Sequence, residues 1–121
     1  MENRRLKRVA RLLEREISVL LAELQDLPAR DFITVTAVEV SKDLRHARIF
    51  YSLLTNREED WKLVARVLSR HKKQLRHELA QRIVLKYHPE IRFIPDPTIA
   101  RASRIEELLR EIHESDDGGT T

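Results

Sequence analysis

The spacing of the apolar residues changes twice along the chain, and this change restricts the possible folds more than any other feature. Between residues 6 and 24 apolar residues recur every three or four positions, the period of an amphipathic α-helix. Between residues 32 and 53 the sequence is rich in β-branched residues and largely alternates, which is typical of β-strands. Helical spacing returns over residues 61–83. This order predicts an α+β domain.

The segment over residues 32–53 contains the signals of an antiparallel hairpin. Turn residues at 41–45 separate strands predicted over 32–40 and 47–53. The alternation changes phase near Ala37, and either a β-bulge or a strand covered on both faces would explain the change. A short third strand is predicted over residues 91–94, after His88 and Pro89 stop the preceding helix.

The helical region after the hairpin is interrupted by a polar stretch. A T-x-x-E capping box at residues 55–58 announces a helix. Residues 69–74 include no apolar residue, so either one long helix has a polar middle or two helices meet at a kink. A second capping box at 103–106 predicts a C-terminal helix. We therefore expect three regions: a domain over residues 1–98, a helix over 99–114 and a disordered acidic tail over 115–121.

The charges favour a binding function with an anionic partner. The chain has a formal net charge of +3, but residues 102–121 hold six acids and two bases, so the rest is strongly basic. One cluster of cations lies opposite the apolar stripe of the first helix, and the other lies within residues 69–89. Each cluster also has a simpler interpretation as the solvated face of a helix. No base-stacking aromatic is evident, so recognition of RNA shape and backbone fits better than reading of bases.

Catalytic chemistry is disfavoured by the residues that are missing. The chain has no cysteine, and both glycines lie in the tail, so a phosphate-binding glycine loop is excluded. His77 and Glu78 begin the zinc-protease pattern H-E-x-x-H, but Gln81 stands at the second ligand position. Asp43 and Asp96 sit beside turn or proline signals and are predicted to cap backbone amides. We expect no metal, no cofactor, no membrane span and a soluble, cytoplasmic monomer.

Several motifs resemble one family. Residues 33–44, ITVTAVEVSKDL, followed by ARIFYS at 47–52, are similar to the hairpin V-T-V-T-x-V-E-V-S-x-D-L…A-x-V-x-x-S of the bacterial ribosome-binding factor A proteins. Leu75-Arg76, PEIRF at 89–93 and Asp96 resemble the family's I-R…P-x-L-x-F-x-x-D pattern. The resemblance extends from about Arg4 to Leu109.

The resemblance implies a type II KH-like fold, α-β-β-α-α-β, with helices packed on a three-stranded sheet and a C-terminal helix. It also implies a non-enzymatic factor that binds the small (30S) ribosomal subunit and its rRNA and assists late subunit maturation and rRNA processing, especially in the cold. The family usually carries Ala-x-Gly at an interhelical kink, where this sequence has His71-Lys72-Lys73.

Charge and resemblance together predict which side chains contact RNA phosphates. The predicted residues are cations of the two clusters: Arg4, Arg5, Arg8, Arg11, Arg70, Lys72, Lys73, Arg76, Arg82 and Lys86. For Arg82 and Lys86 the solvated-face interpretation stays open. The alternative function is a non-catalytic protein-interaction module that docks acidic partners through the same helices.

Overall fold

The computed structural model describes residues 4–27 and 33–98. They form, in chain order, α1 (Arg4–Glu23), β1 (Ile33–Val40), β2 (His46–Leu53), α2 (Glu58–Arg82) and β3 (Glu90–Pro95). The predicted α+β class with a three-stranded sheet is confirmed. The two middle helices of the expected order are one continuous helix, α2, so the long-helix alternative is the one observed. The predicted C-terminal helix and acidic tail lie outside the described residues.

The sheet has the order β1-β2-β3, with β2 in the centre. β1 and β2 form the predicted antiparallel hairpin, and the register shifts between Val35 and Ala37, so the phase change is a β-bulge at Thr36. β3 pairs with β2 in parallel, from His46 opposite Glu90 onward. Because parallel neighbours need a crossover connection, α2 carries the chain back to the start of β3.

The core lies between the sheet and the two helices. Alternate residues of β2, from Ala47 to Leu53, are buried on the face that the helices cover, and Ile49 is 0% exposed. The apolar stripes of both helices close over this face. The buried stripe residues are Val9, Leu13, Ile17, Leu20 and Leu21 on α1 and Val64, Val67, Leu68, Leu75 and Leu79 on α2. One apolar core therefore joins all five elements.

Helix α2 begins differently from the prediction. Its N-cap is Arg57, whose side chain makes no capping hydrogen bond, so the capping box predicted at residues 55–58 is wrong in position. The Thr55 hydroxyl instead accepts from the Arg57 N–H at 3.1 Å and donates to the Asp60 carboxylate at 2.9 Å. Three acids in the first turn, Glu58, Glu59 and Asp60, complement the positive end of the helix dipole.

Helix α2 also ends before His88 and Pro89, the residues predicted to stop it. α1 ends at Glu23 and α2 at Arg82. After α1 the chain turns, and Leu27 is buried in the core. After α2 the residues 83–89, which we call the α2–β3 loop, lead into β3.

The hairpin turn at residues 41–45 is held by a local network of hydrogen bonds. The Asp43 carboxylate accepts from the Ser41 hydroxyl at 2.6 Å and from the Arg45 N–H at 3.1 Å, which confirms its predicted capping role. These two bonds, the Ser41 bond first, lower the pKa of Asp43. Leu44 has φ of 61°, a left-handed conformation uncommon for a residue with a Cβ. The turn therefore has a fixed and slightly strained shape.

We predict that Ile49→Ala lowers the free energy of unfolding by about 2–5 kcal/mol, because it leaves a cavity where both helices meet the central strand. Urea unfolding followed by circular dichroism measures the change. Leu54→Ala is the matched control, since Leu54 is exposed, and we expect a loss below about 0.5 kcal/mol. Equal losses in the two variants would contradict the described core.

Candidate nucleic-acid interface

The first basic surface is the outer side of α1. The exposed side chains of Arg4, Arg8, Arg11 and Arg15 point away from the buried stripe, as the spacing predicts. Together with Lys7 and Leu12 they line a surface depression of about 440 Å³. Arg5 is exposed on the same helix. One charge sign concentrated along one helix side suits an anionic polymer, which releases condensed counterions when its phosphates are neutralised.

The second basic surface lies at the middle of α2, where the apolar stripe is interrupted between Leu68 and Leu75. Lys72 and Lys73 are both exposed. At 100° per residue Lys72 lies only about 40° from the direction of Leu68, so its exposure means that the core does not extend over this part of the helix. The core-side position is taken by His71, whose side chain is 21% exposed.

His71 connects this part of α2 to the turn that follows α1. It donates a hydrogen bond from Nε2 to the Asp26 carboxylate at 2.7 Å. This bond is the main reason why the pKa of His71 is raised and why the pKa of Asp26 is lowered. The guanidinium of Arg70 lies 3.9 Å from the same carboxylate and adds to the second effect. Arg70 is therefore partly neutralised, whereas Lys72 and Lys73 form no ion pair within the described part of the chain.

Arg82, at the end of α2, faces two acids of α1. Its guanidinium nitrogens lie 3.4 Å from the Glu16 carboxylate and 3.8 Å from the Glu23 carboxylate. These contacts join the two helices, and they favour a structural role for Arg82 over contact with RNA.

The third basic surface surrounds the α2–β3 loop, and sequence reasoning found only part of it. Arg76 and Lys86, both predicted, line a depression of about 560 Å³ together with residues that were not predicted to contact RNA: Arg45, His46, Tyr87, His88 and Glu90. Arg76 donates to the His88 carbonyl at 2.9 Å. The parallel pairing of β2 with β3 brings the hairpin turn beside this loop, and no local sequence pattern indicates that contact.

Nine of the ten predicted cations therefore lie on three surfaces and not on two. Arg4, Arg5, Arg8 and Arg11 belong to α1, Arg70, Lys72 and Lys73 to the middle of α2, and Arg76 and Lys86 to the α2–β3 loop, while Arg82 bridges the helices.

The residues considered for other chemistry have ordinary structural surroundings. Asp96 accepts from the Thr98 N–H at 3.1 Å and from the Thr36 hydroxyl at 3.2 Å, so its predicted capping role is confirmed. His77 is exposed, and the Gln81 amide donates to its ring nitrogen at 3.2 Å. Across residues 4–27 and 33–98 no group of three or more histidine or acidic side chains could hold a metal ion. Neither of the helices in those ranges is long and apolar enough to cross a membrane.

Comparison with known proteins identifies relatives over nearly the whole chain. The family model described as ribosome-binding factor A matches residues 5–109. The ribosome-binding factor A of Gemmatimonas aurantiaca is 43% identical over 114 residues, which cover 93% of this chain and 77% of the relative.

Two structures of Thermus thermophilus ribosome-binding factor A also match. The crystal structure of that protein has a TM-score of 0.64 and 29% identity, covering 74% of this chain and 94% of the other. A homology model fitted into a cryo-EM map of a 30S complex with that factor has a TM-score of 0.59 and 28% identity, covering 71% and 89% of the two chains.

We predict that Asp26→Asn lowers the melting temperature most between about pH 4 and pH 6.5. The folded pKa of His71 lies above its ordinary 6.5, so its contribution is complete below that pH and is lost as the pH rises through the raised pKa. The folded pKa of Asp26 lies below 3.8, so its contribution is complete above that pH and is lost as the pH falls through the lowered pKa. Differential scanning calorimetry across pH 3–9 measures the difference from the unmodified protein.

Asp96→Asn is the matched control for this pH series. The pKa of Asp96 is also lowered, first by the Thr98 side chain, but no histidine contributes. Its effect on the melting temperature should be constant from pH 5 to pH 9. A constant effect of Asp26→Asn over that interval would contradict the proposed coupling to His71.

Proposed function

The chain belongs to the ribosome-binding factor A family, and from this premise we propose that it binds the small ribosomal subunit and its rRNA through its basic surfaces. The observation that carries the proposal is the family match over residues 5–109, because this range includes, apart from Arg4, all five elements and the three basic surfaces. The 30S complex of the Thermus thermophilus relative supports the same partner.

The finer part of the proposal concerns the role in the cell. The protein assists late maturation of the small subunit and the processing of its rRNA, especially in the cold. It acts in the cytoplasm as a monomer. Its activity is binding, and it catalyses no reaction. The domain over residues 1–98 makes the contacts, and the predicted helix over 99–114 and the predicted acidic tail over 115–121 lie outside the described residues.

The exposed cations support recognition of the RNA backbone. Arginine presents a planar fork that matches phosphate oxygens, which suits the ladder of α1. Lysine is a flexible point charge, which suits Lys72 and Lys73 because they lie side by side on a solvated part of α2. Since α2 has 25 residues, it is about 37 Å long and can follow an extended stretch of backbone.

One observation supports the alternative, a module that docks acidic proteins. Leu12 is 40% exposed in the middle of the arginine ladder, and it lines the same depression. An acidic peptide with an apolar residue would fit there as well as RNA would. The two functions differ in which molecule competes for the basic surfaces. Naked rRNA competes well if the protein binds RNA, and it competes poorly if the protein binds an acidic protein partner.

Sedimentation with purified ribosomal particles tests the proposal. The protein is mixed in turn with immature small subunits, mature small subunits and large subunits, and the bound fraction is measured after centrifugation. We expect binding to small subunits with a preference for immature ones. Equal partition among the three particles would overturn the proposal.

We predict that the double variant Lys72→Glu, Lys73→Glu binds small-subunit rRNA more weakly. The logarithm of its binding constant should also fall less steeply with the logarithm of salt, by roughly one unit of slope for each lost phosphate contact. Fluorescence anisotropy titrations at several salt concentrations measure both quantities.

The matched control is Lys62→Glu, Arg66→Glu, which makes the same change in net charge on exposed residues of the same helix. The two pairs are centred roughly 13 Å apart along the axis. The control should change the slope by much less, since these residues lie outside the three basic surfaces. Equal slopes for the unmodified protein and the Lys72, Lys73 variant would remove those two lysines from the interface.

A further inference from the structure

We propose that the depression beside the α2–β3 loop binds an unpaired RNA base, with Tyr87 as the platform on which the base stacks. This inference rests on the proposed function and deepens it, because it assigns recognition of a single-stranded segment to one surface. The basic faces of the two helices contact phosphates and carry no such aromatic side chain in the described residues.

The position of Tyr87 is the first observation. It is 45% exposed although it is a large aromatic residue, and it lies in a loop and not on a core-facing stripe. The Arg45 guanidinium lies 5.1 Å from the centre of its ring, and the Lys86 ammonium lies 5.5 Å from it. Both distances are within the range of a cation–π contact. A base that stacks on this ring takes the place of one of these two cations, and the charges then face the phosphates on either side of the base.

The rigidity of the surroundings is the second observation. Arg45 follows the strained residue Leu44 in the hairpin turn, and its carbonyl accepts a hydrogen bond from the Glu90 N–H at 2.8 Å. On the other side, Arg76 holds the carbonyl of His88 at 2.9 Å. The loop and the turn are therefore fixed to each other before any ligand binds, which reduces the entropy lost on binding.

The charges around the depression are the third observation. Three permanent cations, Arg45, Arg76 and Lys86, line it together with His46 and His88, and the acid among the lining residues is Glu90. The carboxylate of Glu90 lies 3.9 Å from the His46 ring, at an exposed position. The depression is therefore positive overall, and an RNA strand meets one acid at its edge.

The ring selects single-stranded RNA over a duplex. In a duplex the faces of the bases are covered by their neighbours, so a side chain cannot stack on them. An unpaired base exposes its face, and stacking on an aromatic ring tolerates any base because each has a π-face. An acidic peptide would satisfy the cations but would leave the ring unused.

Binding of a short single-stranded RNA that contains one 2-aminopurine tests the proposal, since the fluorescence of this base is quenched when it stacks. We expect Tyr87→Ala to weaken binding by about 5- to 150-fold and to abolish the quenching. Tyr87→Phe keeps the ring, so binding and quenching should stay close to those of the unmodified protein. Thermal unfolding of each variant checks that the fold is intact.

Two further variants separate stacking from charge and from general exposure. Lys86→Ala should lower the salt dependence by roughly 0.7 units of slope, whereas Tyr87→Ala should leave the slope unchanged. Val84→Ala is the matched control, because Val84 is a fully exposed apolar residue of the same loop that does not line the depression. It should bind like the unmodified protein.

The inference is overturned if Tyr87→Ala binds this RNA as tightly as the unmodified protein, or if Tyr87→Phe loses as much as Tyr87→Ala. The inference is also overturned if an acidic peptide displaces the RNA from the depression and the Tyr87 variants bind that RNA as the unmodified protein does. Such results leave the proposed function standing if the unmodified protein still sediments with small subunits. Failure of that sedimentation removes the proposed function itself.

Discussion

The parallel pairing of β3 with β2 is the constraint on which the rest of the structure depends. The hairpin of β1 and β2 is local, but β3 can join it in parallel only if the chain returns to the starting end of β2. Helix α2 makes this return, and its stripe covers the sheet beside that of α1. The same pairing sets the α2–β3 loop next to the hairpin turn. The architecture and the third basic surface therefore have one common cause.

Local features of the sequence were sufficient to predict most of the elements. The helical spacing of α1, the alternation of β1 and β2 and the phase change at Thr36 depend on near neighbours, so they can be found without a structure. The predicted start of α2 is misplaced because T-x-x-E at residues 55–58 matches a capping box in sequence, whereas Thr55 bonds the side chain of Asp60 and the N-cap is Arg57. The polar middle of α2 was ambiguous because its support comes from Asp26, far away along the chain.

The basic site was predictable to a similar extent. The ladder of α1 follows from residue spacing alone, and the structure places it as expected. The contacts of Arg82 with Glu16 and Glu23, and of Arg45 with Tyr87, join residues from different elements. Such contacts follow from the packing of helices and the register of strands, which spacing within one segment does not encode.

At residues 71–73, where the resemblance implies Ala-x-Gly, the histidine and two lysines lie in an unbroken helix. Glycine is among the weakest helix formers, so its replacement favours that continuity.

The left-handed residue at position 44 has a consequence for the unfolded chain. Leucine occupies a conformation that glycine would adopt freely, and the sequence contains no glycine before residue 118. A chain without glycine explores fewer backbone conformations before it folds, so it loses less entropy when it becomes ordered. The left-handed conformation of Leu44 costs about 1–2 kcal/mol, which offsets part of that advantage. That strain is confined to the hairpin turn, whereas the entropic advantage is spread over the whole domain.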